Sequence, residues 1–477
     1  MNLYKNFLNL QKKTKEFLRW RTVPKNNITN NIETNKPIEY LLNDPTTPNL
    51  VKSIDPNTLI FSNFIVKGYK GGGFKKESIE GQAANCCVTI SNTIVFFNKK
   101  SEKQIPPWPG TSNLHILPHA GVNLNAFYDR RSLQFFYIND RRFGDPIFTC
   151  DSAEIVAHEL GHAILDAYRP ETWSAMSLEV ASFHEAFADF TAIMHSLTYD
   201  EIIDYILNET QGNLNKENIA SELAEQFGRL IYRISPESGK KSNALRSATN
   251  NFKYVNPGTL PQDAPRDQLA AECHSFGRIF LGALYDILII IYEENIREGK
   301  EKKDSLKEAR DTLTKYVLKS IQNAPLNSKF YNSMAKTLLW ADVVLNNRKY
   351  HDKMQKIFFE RNLISNQLMM LNAPTCDNND LIIKNLKIDN IKLNDFVLNI
   401  QSNENPLYNV ELEIPKQSAY LYDVNKNIYD IIPTSDEEGL SGAIDMINYL
   451  HNTKSISNDS SAPFEIKNNK LTRNYYS

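Results

Sequence analysis

His158 and His162 set two imidazoles four residues apart, with the Glu159 carboxylate beside the first. On a helix, residues i and i+4 share one face, so both rings can hold a single tetrahedral Zn2+. Glu159 then points near the metal's open position, where a bound water needs a base, and the chemistry permitted is metal-assisted hydrolysis. The plainer alternative is a solvated helix that merely carries two histidines, and a chain of this length meets the pattern by chance roughly once in a hundred sequences. The surroundings oppose that alternative. Ile155, Val156, Leu160, Ala163, Ile164 and Ala167 recur with helical spacing and form an apolar face. A helix buried on that face must satisfy its polar groups, which a metal with a base beside it does.

Two histidines leave a catalytic zinc one protein ligand short. The extended HExxHxxGxxH pattern is excluded, because Leu165 and Tyr168 stand where it needs glycine and histidine. Downstream, Glu185 and Asp189 lie four apart in a second segment of helical periodicity and so share a face. One carboxylate can ligate the metal while the other orients an imidazole through its second nitrogen. Glu179, near the start of that segment, and His184, next to Glu185, are open alternatives for the third ligand.

The elements that must position these groups follow from pattern. The chain has 477 residues, long for one hydrophobic core and suggestive of two or three domains. Residues 1–21 read as a basic amphipathic helix, and 22–60 as an irregular, partly extended lead-in. Residues 77–97 have a helical period. Residues 114–147 are strand-like, with 122–128 and 132–138 flanking Asp129, Arg130 and Arg131 as in a hairpin. From 151 the chain becomes helical, with periodic stretches near 153–168, 178–198, 216–233, 268–294, 303–321, 327–346 and 350–362. From 366 short alternating runs suggest a small β-containing appendage, and the last 20 or so residues, rich in Ser and Asn, are expected to fray. The expected division is 1–60 lead-in, 61–150 β-rich lobe, 151–365 helical zinc-binding lobe and 366–477 appendage.

Composition sets limits. Hydrophobic content of 41% and charged content of 23% are ordinary for a soluble globular protein. A net charge of −2 predicts no steering toward nucleic acid or membrane. No run of about 18 apolar residues exists to span a bilayer, and residues 280–292 are interrupted by Asp286. Cys86, Cys87, Cys150, Cys273 and Cys376 are odd in number and lack CxxC spacing, which predicts reduced thiols. No secretory signal is read at the N-terminus, so the expected compartment is cytoplasmic, with leaderless export as the alternative.

With these residues in view, HELGHAILD followed by HEAFAD resembles the thermolysin-like zinc metallopeptidases, glutamate-ligated zincins with HExxH and a downstream Glu-x-x-x-Asp. Asn125, Ala126, Phe127 and Tyr128 resemble that family's substrate-edge strand, and residues 244–247 its arginine-bearing segment. His274 with Gly277 and Tyr285 is similar to its second histidine region, and 303–365, with Asn323, Ala324 and Pro325, to its C-terminal helices. The likeness spans about 60–365. It implies a two-lobed α+β zincin-like fold and a zinc endopeptidase acting on peptide or protein substrates. His158, His162 and Glu185 would bind Zn2+, with Asp189 behind them. Glu159 would act as the base and His274 as the oxyanion donor. Arg246 would hold a substrate carbonyl, and Asn125 with the Ala126 backbone would pair with an extended peptide.

The sequence departs from the pattern in places. The interval from His162 to Glu185 is longer than in the best-known members. Arg169, Pro170, Glu171, Thr172 and Trp173 stand where an oxyanion-assisting tyrosine is expected, which leaves Tyr168 as the candidate. Asp267 and Glu272 are both near enough in sequence to orient His274. The acidic clusters of the family's structural calcium are not matched. Two other functions stay open: an aminopeptidase-type zincin, whose GxMEN motif is not found, and a catalytically silent zinc-stabilised binding or effector protein. Glu159 and His274 speak against the second, since a purely structural zinc needs no water-activating base.

Overall fold

The computed structural model describes residues 37–45, 50–59, 63–69, 71, 78–138, 146–173, 177–224, 244–326 and 329–364, together with the backbone of strands between 384 and 473. The fold is mixed α+β, with short strands first and long helices after them. The expected N-terminal helix, Cys376 and most of the appendage lie outside the described residues.

Strands β1 (Ile38–Leu41) and β2 (Val51–Ile54) pair antiparallel. They belong to the stretch read as lead-in, yet Ile38 and Leu42 are buried in the core. The Leu41 amide donates to Asn85 Oδ1 at 3.0 Å, which fixes β1 to the first long helix, α1 (Ile79–Lys100). The main sheet contains β3 (Phe64–Val66), β4 (Leu114–Leu117), β5 (Ala126–Tyr128) and β6 (Ser132–Phe135), ordered β3-β4-β6-β5. β5 is therefore an edge strand, antiparallel to β6. The hairpin is shorter than its sequence pattern, because Val122 makes only an isolated bridge to Tyr137 and the Asn125 carbonyl accepts from the Phe136 amide.

The helical part carries α2 (Ala153–Tyr168), α3 (Leu178–Ser196), α4 (Asp200–Thr210), α5 (Cys273–Arg297), α6 (Lys302–Ile321), α7 (Phe330–Asn346) and α8 (His351–Glu360). Ser152 caps α2 by accepting from the Ile155 amide. α4 was not read from the pattern, although Ile202, Ile203 and Ile206 form its buried stripe. The expected helix at 216–233 is corrected over its described part. Residues 216–224 are turns ending in a two-residue strand, Glu222–Leu223, because Asn218 Oδ1 accepts from the amides of Ala220 and Ser221 and competes with helix formation. In the tail, Phe464–Lys467 and Lys470–Arg473 pair antiparallel.

Two glycines decide how closely the helices around the site approach. A Cβ on Gly161 of α2 would stand 2.7 Å from Ala188 Cα and 2.9 Å from Thr191 Oγ1, both on α3. A Cβ on Gly277 of α5 would stand 2.8 Å from the Ser182 carbonyl oxygen and 3.2 Å from Glu185 Cβ. α3 is thus gripped on two sides by helices that lack a side chain at the crossing. α5 is, among the described residues, the one helix long and apolar enough to cross a membrane, but 83% of its most apolar window is buried inside the fold.

Candidate active site

α2 brings His158 and His162 to one face, with ring centroids 4.9 Å apart and planes at 87°. α3 crosses it at Gly161 and presents Glu185. One ligand atom from each of His158, His162 and Glu185 lies within 4.8 Å of the others. Glu185 Oε2 is 3.5 Å from His158 Nε2, and Oε1 is 3.8 Å from His162 Nε2. Oε2 is also buried without a hydrogen bond among the described residues. A buried carboxylate oxygen facing imidazole nitrogens, in a set of two histidines and one glutamate, fits a divalent zinc ion.

Asp189, one turn beyond Glu185, accepts a hydrogen bond from His158 Nδ1 at 2.8 Å. It therefore holds the proton on Nδ1 and turns Nε2 toward Glu185. Asp189 also receives the Arg246 fork, with Nε at 2.8 Å and Nη2 at 2.7 Å. Burial opposes the charge on Asp189, but the Arg246 guanidinium holds its carboxyl well below the usual range. Arg246 is thus bound to the orienting carboxylate, and its remaining protons are what it can offer to another acceptor.

Glu159 is 6% exposed. Burial pushes its carboxyl up to about 7, against the opposing influence of His158; Glu185 raises it further, and His274 and Arg246 lower it. Burial pushes His162 down to about 3. On His158 burial is overcome by Asp189 and Glu185, which raise it to about 9. The two imidazoles are thus unlike: one is biased toward the neutral form a metal needs, and the other compensates buried carboxylates with a proton.

His274 enters from the first turn of α5. Its Nε2 lies 3.4 Å from Glu185 Oε2, and its Nδ1 donates to Glu272 Oε1 at 2.5 Å. Glu272 is also the N-cap of α5, accepting from the amides of His274 and Ser275. One carboxylate therefore starts the helix and sets the imidazole. Of the two acids considered for orienting His274, Glu272 makes the contact.

Glu179 and His184 are used elsewhere. Glu179 accepts from the Tyr254 hydroxyl at 2.8 Å and the Tyr331 amide at 2.7 Å, and His184 Nε2 lies 2.9 Å from Thr172 Oγ1. Tyr168 points away from the cluster, its hydroxyl donating to Ser101 Oγ or the Lys103 carbonyl. Its position at the end of α2 turns it toward the end of α1, so it does not take the oxyanion role considered for it. Asn125 folds its Oδ1 back onto the Ala126 amide at 3.0 Å, which occupies the backbone donor expected to pair with a peptide. The edge strand is nonetheless fastened to α2. The Tyr128 hydroxyl and the Arg130 fork all donate to Asp166, whose side chain is fully buried.

Cys273 was missed at the sequence level because its neighbours in space were not visible. Its thiol lies 3.5 Å from His274 Nδ1 and 3.2 Å from Glu272 Oε1. The four described cysteines are free.

No protein-family model matches the chain, and no curated protein matches it. Among solved structures it is similar to the precursor of protealysin, a metalloproteinase from Serratia proteamaculans, at 12% sequence identity and a TM-score of 0.40, covering 71% of this chain and 91% of that one.

Proposed function

We propose that this chain is a zinc-dependent endopeptidase, with His158, His162 and Glu185 holding the metal. The observation that carries this reading is the convergence of those three ligand-type side chains beside a buried Glu159 and a carboxylate-held His274. Zinc in this place would polarise the scissile carbonyl and acidify a water.

Glu159, buried beside His158, would then take the proton of the attacking water and pass it to the leaving amine. His274, raised well above its ordinary range where Glu185 outweighs burial, presents an Nε2 proton to the oxygen that gains charge. Asp189 fixes His158 and anchors Arg246, whose free protons can meet a substrate carbonyl. β5, tied to α2 through Asp166, lies where an extended peptide can run along the sheet edge.

Glu159→Gln is the decisive variant. It should keep the metal content of the wild type and lose casein and blocked-peptide cleavage by about 100-fold or more. Retained cleavage in a purified, zinc-loaded variant would sink the mechanism. Cleavage confined to peptides with a free amino terminus would replace the endopeptidase with an aminopeptidase.

A further inference from the structure

Glu185 belongs to two groups of ligand-type side chains. The first is His158, His162 and Glu185; the second is Glu185, Cys273 and His274, again with one ligand atom each within 4.8 Å of the others. Only Glu185 is common to both, and the two oxygens of its carboxylate face different ways. Oε1 looks toward His162, while the buried Oε2, which has no hydrogen bond among the described residues, lies between His158 and His274. A carboxylate so placed can bridge two cations.

The geometry points to a second metal seat, built from Glu185, Cys273 and His274, for a thiophilic divalent cation such as Zn2+ or Cd2+. Glu272 prepares this seat. By accepting from His274 Nδ1 it leaves Nε2 as the ring nitrogen that faces Glu185, the arrangement by which an outer carboxylate orients a ligating imidazole. The mixed sulfur, nitrogen and oxygen set suits zinc and its softer congener and suits neither calcium nor magnesium. Tetrahedral bonds of roughly 2.0–2.3 Å put ligand atoms about 3.3–3.8 Å apart; His274 Nε2 and Glu185 Oε2 already stand 3.4 Å apart, and no pair in the group need close by more than about 1 Å. Cys273 and His274 can move that far, because they sit in the first turn of α5 and the His274 side chain is 46% exposed.

On binding, the Cys273 S–H and His274 Nε2–H bonds break, both protons pass to buffer, and the freed sulfur and nitrogen pairs form the bonds to the cation; nothing is oxidised or reduced. Occupation of this seat ties up His274 Nε2. If the hydrolytic reading holds, on which this consequence alone rests, the second ion silences the enzyme by removing the oxyanion donor.

The test is a titration of the metal-stripped full chain with Cd2+, followed by equilibrium metal content and by the ultraviolet thiolate-to-cadmium charge-transfer band. Wild type should take two equivalents and develop the band. Cys273→Ser should lose one equivalent and the band, with affinity at this seat down roughly tenfold or more. His162→Ala should lose the other equivalent and keep the band, and Cys86→Ser should keep both. As a measurement free of substitutions, Cd2+ should protect Cys273 of the wild type from iodoacetamide roughly tenfold or more, read from the mass of its peptide. A single equivalent in wild type, a band that survives Cys273→Ser, a band lost in His162→Ala, or an unprotected Cys273 overturns the proposal. None of these outcomes depends on peptide cleavage, so failure of the hydrolytic reading is seen separately in the Glu159→Gln assay.

Discussion

Replacing Gly161 with alanine sets two effects of opposite sign against each other. Alanine in a helix interior is favoured over glycine by about 1 kcal/mol, and Gly161 lies inside α2. The added Cβ, however, meets Ala188 Cα at 2.7 Å, where ordinary contact begins near 3.4 Å. The Cα cannot rotate away as a side chain would, so α2 and α3 must separate by about 0.7 Å at their crossing. Overpacking of this kind costs about 1–3 kcal/mol, and a backbone contact belongs at the upper end, which leaves a net loss of about 2 kcal/mol. The site should suffer more than the fold. His158 and His162 ride on α2 and Glu185 on α3, and a metal site holds its ligands to within about 0.5 Å. Zinc affinity should fall by at least roughly tenfold. The assay pairs urea denaturation of the stripped protein with competition for zinc against a fluorescent chelator. Thr191→Ala added to Gly161→Ala removes the 2.9 Å contact but leaves the closer one, so it should restore little. A Gly161→Ala protein stabilised by about 1 kcal/mol with unchanged zinc affinity would show that propensity alone governs this position and would refute the reasoning.

Glu179 predicts a pH dependence. Burial raises its carboxyl to about 7, although the Tyr331 amide and Tyr254 hydroxyl pull it down. The folded state keeps this proton longer than the unfolded state, so stability falls as pH rises from about 4.5 to about 7, by roughly 3 kcal/mol for this group. Glu179→Gln can turn its oxygen to the Tyr331 amide and its NH2 to the Tyr254 oxygen, and should flatten that decline; identical slopes between pH 5 and 8 in both proteins would remove Glu179 as the cause. Asp189→Asn should lower zinc affinity about 10–100-fold and cost about 3–5 kcal/mol, because Arg246 loses the charge it pairs with in a buried place. Isothermal titration and chemical denaturation read the two effects, and a variant with wild-type values in both would show that the Arg246 fork contributes nothing.

What the sequence disclosed about this site was what is local to a helix. The i, i+4 spacings of His158 with His162 and of Glu185 with Asp189 are properties of helix geometry, and α2 and α3 carry them on single faces. Glu185, Glu179 and His184 could not be ranked from the sequence because all three lie within two turns, and which of them meets His158 and His162 depends on the crossing partner of each face. That partner is written in the sequence as an absence, the missing Cβ of Gly161 and Gly277, which no periodicity registers. Periodicity also misled where a side chain could compete for backbone amides. Asn218 turns the chain at 216–224, whereas the stripe of Ile202, Ile203 and Ile206 just before it went unread although it does form a helix.

Contacts made at a helix start were equally hidden. Glu272 could not be separated from Asp267 by position, because its grip on His274 Nδ1 depends on its first being the N-cap of α5. The same cap geometry brings the Cys273 thiol beside that imidazole, within reach of Glu185. A cysteine preceding a histidine is unremarkable along a chain, since adjacent residues on a regular helix face different ways. At a first turn fixed by a bidentate cap, their ligand atoms can still converge on a third group. Second seats for thiophilic ions are therefore best sought where a capped helix start abuts a carboxylate that also belongs to another group of ligand-type side chains, and the Cd2+ stoichiometry of this chain tests that expectation.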